Sequence, residues 1–331
     1  MQLSCVVLIL RKCAIIFQMI LNISGRTDIV QYFSDWMFNR FKKGEVFVRN
    51  PMYQDKVTCY ELTPQKIDCI VFCSKNYAPV LERLHEITDR FPCYFQYTIT
   101  AYGKDIEPGV PSIDESIDTL LRLEKLVGAK RIAWRYDPVL LTKKYTVQQH
   151  LITFEHMAAR LSGHIDRCIF SFVELYKKLE FNMPELILFT EEDMAVLAEG
   201  FGRIAAKYRI PIQTCACQSD YSRYGINESG CVTLPILAQA TGLAFKNLKH
   251  SGMRNGCRCM TYNDLGRYDT CINGCRYCYA NQNAELARQN FQLYDADAPM
   301  LIDSIKEGDI VTHSKQVSFL ENGNSQLPLP F

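Results

Sequence analysis

Residues 112–138 read Ser-Ile-Asp-Glu-Ser-Ile-Asp-Thr-Leu-Leu-Arg-Leu-Glu-Lys-Leu-Val-Gly-Ala-Lys-Arg-Ile-Ala-Trp-Arg-Tyr-Asp-Pro, an amphipathic segment followed at once by a short apolar run. Ser112 stands where an oxygen can cap a helix start, and Asp114 and Glu115 fall in the first turn, where the helix dipole favours acids. Ile117, Leu120, Leu121, Leu123 and Val127 form one apolar stripe at helical spacing. The strand-like run at 131–134 then ends in Trp134-Arg135-Tyr136-Asp137-Pro138. A helix that returns the chain directly to a buried strand is the repeating unit of a parallel sheet.

The same unit recurs on both sides. Strand-like runs at 20–23, 69–72, 94–99, 131–134, 167–172 and 210–214 alternate with helix-like segments at 28–42, 79–90, 113–127, 146–161 and 191–207. Thr190 before Glu191, Glu192 and Asp193 repeats the capping pattern. This order predicts an α/β fold, either a parallel (β/α) barrel or partial barrel of about six strands, or a doubly wound sheet. The barrel-like domain is expected over 19–250. A cysteine-rich segment over 251–300 and a C-terminal segment over 301–331 follow, the latter loose from Ser318 onward, where Gly323, Asn324 and Pro-Leu-Pro accumulate. Met19 opens a buried-strand pattern, so residues 1–18 are read as an upstream extension.

The 331 residues are 48% hydrophobic and 22% charged, a balance that excludes disorder as the main state. With 37 Lys+Arg against 36 Asp+Glu there is no global positive field to neutralise nucleic-acid phosphates. The apolar run at 1–18 is broken by Arg11 and Lys12, too short and interrupted to span a bilayer, and no small-residue cleavage site follows. The expected location is therefore the cytoplasm, where cysteines serve as metal ligands or catalytic thiols more often than as disulfides. Of fifteen cysteines, eight fall between Cys215 and Cys278.

In parallel α/β folds ligands bind at the carboxyl ends of the strands. Those positions are polar here: Asn22, Ser24, Arg26 and Asp28 at the first strand, then Ser74, Lys75 and Asn76 at the second. The third strand supplies Gln96, Thr98 and Thr100, followed by Tyr102, Lys104, Asp105 and Glu107; later ones supply Arg135, Asp137, Ser171 and Gln213. Such a ring suits a polar, partly anionic small molecule. Ordinary loop hydrogen bonding, including a simple Arg135–Asp137 pair, is the plainer alternative.

The sharpest motif is Cys271-Ile-Asn-Gly-Cys275-Arg-Tyr-Cys278. Its Cys-x-x-x-Cys-x-x-Cys spacing lets one loop supply three corners of a four-iron cubane and leave one iron open. Gly274 lets the backbone bend between ligands, and Tyr277 can cover one side.

This run resembles the cluster loop of the radical S-adenosylmethionine (SAM) superfamily. The wider set Asn22-Ile-Ser-Gly-Arg26-Thr-Asp28, Phe72-Cys-Ser-Lys75-Asn76, Trp134-Arg135-Tyr-Asp137-Pro138, Cys257-Arg-Cys259 and Asn273-Gly-Cys275-Arg-Tyr-Cys278-Tyr-Ala-Asn281 resembles a bacterial family of unknown function with radical-SAM-like C-terminal cysteines. The resemblance implies a 4Fe–4S cluster on Cys271, Cys275 and Cys278, reduced by an external electron donor. It also implies SAM at the open iron, cleaved to a 5′-deoxyadenosyl radical that abstracts a substrate hydrogen. Asn22, Arg26, Gln96, Ser171, Gln213 and Tyr277 then become cofactor contacts, and Arg26, Lys75, Arg135 and Asp137 candidate catalytic groups. In that superfamily the loop usually follows the first barrel strand, whereas here the barrel would precede it, and the chain has no Gly-Gly pair.

Cys257 and Cys259, with Cys215 or Cys217 and Cys231, could hold a second centre such as an auxiliary iron–sulfur cluster. Alternatively, Cys257 and Cys259 could join Cys275 and Cys278 in a four-thiolate zinc knuckle. Cys5, Cys13, Cys59, Cys69, Cys73, Cys93 and Cys168 read as buried packing residues. Two other function classes stay open: a non-catalytic iron–sulfur protein for electron transfer or redox sensing, and a zinc-stabilised binding module. The latter would use Arg254, Arg258, Arg267 and Arg276 as a basic patch.

Overall fold

A computed structural model describes residues 20–217, 219–248, 256–260 and 262–321; the extension 1–18, Cys5, Cys13 and Arg254 lie outside the described residues. The strands are β1 (Ile20–Ile23), β2 (Glu45–Arg49), β3 (Lys56–Glu61), β4 (Cys69–Ser74), β5 (Cys93–Thr98), β6 (Ile132–Val139), β7 (Arg167–Phe172), β8 (Ile212–Thr214), β9 (Asn227–Glu228), β10 (Asn263–Asp264) and β11 (Ile310–His313). Eight of them form one sheet in the order β10-β1-β4-β5-β6-β7-β8-β9. Every ladder in it is parallel. Among the described residues no ladder joins β9 to β10, so the sheet stands as eight parallel strands with two edges.

The expected count of about six strands is thus corrected to eight. The additional strands β9 and β10 are two residues long, below what an apolar pattern can signal. A second sheet, β11-β3-β2, was also absent from the sequence reading. It brings 310–313 back beside β3. The helices Ile113–Val127 and Glu191–Lys207 stand where expected, each with a capping box. The segment 28–42 divides into Ile29–Tyr32 and Ser34–Lys43, because Phe33 leaves helical geometry and packs edge-on against Phe291 and Tyr294. The segment 79–90 forms only a 3-10 turn at Ala78–Val80 and the helix His85–Thr88. The tail expected to be loose from Ser318 is held to Glu321. Ser318 Oγ and the Phe319 N–H donate to Asp68 at 2.7 Å each, and Phe319 is buried.

Alternation along each strand sorts its residues onto two faces. One face carries Leu21, Ile23, Ile70, Phe72, Phe95, Tyr97, Trp134, Tyr136, Phe170 and Ile212, packed under the long helices in the main core. The other carries Ile20, Cys69, Val71, Tyr94, Ala133 and Ile169 against the helix Leu234–Thr241. Further along the same strands the period of two brings Asn22, Cys73, Gln96, Thr98, Arg135, Asp137, Ser171, Gln213 and Cys215 onto that second face. It is therefore apolar at the strand starts and polar at the strand ends. No helix among the described residues is long and apolar enough to cross a membrane.

Candidate metal and ligand site

The three-cysteine loop is carried to the strand ends by β10. Asp264, the last residue of β10, accepts from Asn22 Nδ2 at 2.6 Å, from Arg26 Nε at 3.1 Å, and from the backbone N–H of Gly25 and of Gly266. Beyond Gly266 the chain crosses the loops that follow β1, β4 and β5. Thr270 Oγ1 meets Thr27 Oγ1 at 2.8 Å, and the Asn273 carbonyl accepts the Gly109 N–H at 2.8 Å. A Cβ on Gly109 would lie 2.8 Å from Asn273 Cα, so only glycine admits this approach. Asn281 Nδ2 closes the loop by donating to the Cys271 carbonyl at 2.6 Å.

Beneath the loop lie two buried acids. Asp28 accepts from Ser74 Oγ at 2.7 Å, the Lys75 N–H at 3.0 Å and Asn273 Nδ2 at 3.5 Å; burial raises its pKa, and these hydrogen bonds only partly offset that. Glu107 accepts from Lys75 Nζ and Thr100 Oγ1 at 2.8 Å each, and from the Tyr277 hydroxyl. Burial opposes the charge on Lys75, but the Glu107 carboxylate outweighs it and the lysine pKa stays raised. Burial also pushes the thiols of Cys271 and Cys275 up, so a metal binding there must displace protons.

A second group of sulfurs lies at the sheet edges. The thiols of Cys215, Cys231 and Cys259 all fall within 4.8 Å of one another and could hold a metal ion. Cys257 is not one of these three, but its sulfur stands beside them, accepting the Cys259 N–H. Cys217 stands outside this set. The backbone N–H of Cys231 donates to Cys259 Sγ at 3.1 Å, and that of Cys259 to Cys257 Sγ at 3.3 Å. Hydrogen bonds from Cys215, Cys231 and Cys257 lower the pKa of Cys259, while those of Cys215 and Cys231 are raised. Neither Cys257 nor the Cys275 and Cys278 of the expected knuckle belongs to this group of three. Of the basic patch, Arg258 pairs with Glu228 at 2.6 Å and Arg276 with Glu185 at 2.6 Å, while Arg267 lies 3.4 Å from Asp303.

Arg135 lies on the same polar sheet face as Cys215. It pairs with Asp137, which also accepts from Ser171 Oγ, and its Nη1 lies 3.1 Å from Cys73 Sγ. Cys73 was read as packing, yet it faces this polar layer; alternation counted from Cys69 was the signal that could have shown it. Cys69, Cys93 and Cys168 are buried within the two apolar cores, and Cys59 is buried on β3 of the smaller sheet. Gln96 Nε2 donates to the Cys231 carbonyl at 2.8 Å, and Gln213 Nε2 to the Gly230 carbonyl at 2.9 Å, so both amides anchor the edge segment. Sequence reasoning gave no role to Asp264 or Asn273, because the side chains they meet from β1 and the segment after it, Asn22 and Tyr32, are more than 200 residues away.

Residues 20–280 match the model of a domain-of-unknown-function family, DUF1848. The chain belongs to DUF1848. No curated protein and no solved structure matches it. The DUF1848 match takes in all eight strands of the large sheet and both groups of cysteines, and ends just after Cys278.

Proposed function

We propose that this DUF1848 chain is an iron–sulfur enzyme of radical-SAM type, with Cys271, Cys275 and Cys278 as the ligands of one 4Fe–4S cluster and SAM bound beside it. What supports this most is where the loop lies: three sulfurs from one short segment rest over the carboxyl ends of β1, β4 and β5, above Asp28 and the Lys75–Glu107 pair. The donor set fits the cluster. All three thiols come from one Cys-x-x-x-Cys-x-x-Cys loop, the kind of short run that supplies three corners of a four-iron cubane. Bound there, the cluster supplies a low-potential electron to a sulfonium.

The chain's own residues then have defined tasks. Lys75 places a buried positive charge near Cys275, offsetting thiolate charge at the cluster. The Tyr277 hydroxyl and Thr100 hold Glu107 against that lysine. Asn22, Arg135, Asp137 and Ser171 line the polar face available to SAM and substrate, with Arg26 held beside it by Asp264. In the same proposal the sheet closes as a barrel across the Val232–Met260 contact, where the Met260 N–H donates to the Val232 carbonyl at 2.9 Å.

Anaerobic reconstitution tests this. The expected protein carries about four irons and four sulfides at this loop, changes its electron paramagnetic resonance spectrum on adding SAM, and yields 5′-deoxyadenosine under a strong reductant. A cluster whose spectrum ignores SAM would leave a non-catalytic redox protein. Absence of iron after reconstitution would end the cluster assignment.

A further inference from the structure

We propose that Cys215, Cys231, Cys257 and Cys259 form a four-thiolate site for one zinc ion that ties together the segments beside the edge strands β9 and β10 of the eight-stranded sheet. It rests on its own residues and stands or falls apart from the Cys271–Cys278 cluster.

The first ground is spacing. A tetrahedral zinc with bonds of about 2.3 Å to sulfur sets its ligands about 3.8 Å apart. Three of these thiols already lie within 4.8 Å of one another, and the sulfur of Cys257, two residues from Cys259 and accepting its N–H at 3.3 Å, stands beside them as the fourth ligand. A multi-iron cluster gives each cysteine a different iron and needs a wider spread.

The second ground is the backbone. N–H groups of Cys231 and Cys259 already point at sulfurs of the quartet, the contact that stabilises a bound thiolate. Gly230 permits this, since a Cβ there would lie 2.6 Å from Arg258 C and Cys259 N. Outside the quartet, Gln96 and Gln213 fix the carbonyls of Cys231 and Gly230 from β5 and β8.

The third ground is topology. Cys215 follows β8, Cys231 follows β9, and Cys257 and Cys259 precede β10. One ion therefore joins the segments at both unpaired edges, β9 and β10, which no ladder connects among the described residues. A four-coordinate site leaves no position for substrate, so its role is to hold the fold.

Metal analysis of the full chain, purified anaerobically, decides this. About one zinc per chain is expected, lost in Cys231→Ser and in Cys257→Ser, with the iron bound at Cys271–Cys278 unchanged. Should both variants fail to fold, cobalt substitution in the wild-type chain gives the answer: tetrahedral thiolate-to-cobalt bands support the site, and octahedral cobalt or no uptake overturns it. Iron and sulfide in place of zinc, lost with Cys231→Ser, would also overturn it in favour of a second cluster. An unchanged metal content in Cys231→Ser would overturn it as well. Loss of iron at Cys271–Cys278 with zinc retained would count only against the cluster.

Discussion

The two groups of sulfurs are built in opposite ways. Cys271, Cys275 and Cys278 belong to one loop, and the fold only needs to lay that loop over the strand ends. Cys215, Cys231 and Cys259, with Cys257 beside them, come from three segments, and the first three meet only because the fold brings the chain after β8, after β9 and before β10 to one place. Local spacing suits a site that must present an open coordination position, whereas distant ligands suit a site that holds segments together. Each group also depends on one glycine where backbones touch, Gly109 for the loop and Gly230 for the quartet.

The hardest test of this contrast is to remove one sulfur from each group. Cys275→Ala should abolish iron binding and SAM cleavage while keeping zinc and the melting midpoint. Cys231→Ser should keep the loop iron, lose zinc, and lower the melting midpoint by more than about 5 °C. If both variants lose both metals, the groups are one unit and the contrast fails.

Next in size is the charge pair under the loop. Lys75→Met leaves the Glu107 carboxylate buried without its cation and should destabilise the chain by about 3–5 kcal/mol in denaturant titrations. Glu107→Gln, which keeps the hydrogen-bonding shape, should cost less. Losses that simply add in the Lys75→Met, Glu107→Gln double variant would show that the pair is not coupled as its 2.8 Å contact implies.

The glycines sharpen the contrast further. Gly230→Ala should weaken zinc binding about 10- to 100-fold and leave iron alone; Gly109→Ala should do the reverse. Chelator competition for zinc and iron retention on dilution read the two effects separately.

The smallest effect lies in the scaffold away from both groups. His150 is buried between the Tyr136 hydroxyl at 2.7 Å and the Leu140 carbonyl at 2.8 Å, and burial pushes its pKa down to about 4. Because the folded value lies below the ordinary 6.5, its contribution is complete above pH 6.5 and fades as pH falls towards 4. Stability should drop by about 2 kcal/mol between pH 7 and 5, and His150→Gln should flatten that slope. A slope unchanged by the substitution would assign the acid sensitivity to other groups.

Much of the scaffold was readable from pattern. The run Ile113–Val127, its Ser112 cap and the strand after it are local features, and they stand where periodicity and capping place them. The strands β9 and β10 were unreadable because two residues carry no period. The helix expected over 28–42 misled because Phe33 takes its conformation from rings near residue 291, which no local window contains. At the strand ends, types of residue were right as a polar layer. Their partners were not readable: Gln96 and Gln213 are held by the backbone at 230 and 231.

By itself the sequence determined the βα repeat and the three-cysteine loop, since both depend on spacings of at most a few turns of chain. Only the tertiary structure decided which of the other cysteines belong together. Between Cys215 and Cys259 run the edge strand β9 and the helix Leu234–Thr241, and their sulfurs meet because parallel pairing stacks distant segments at one end of the sheet. Side-chain chemistry says what a thiol can bind; the register of β8, β9 and β10 says with whom it binds.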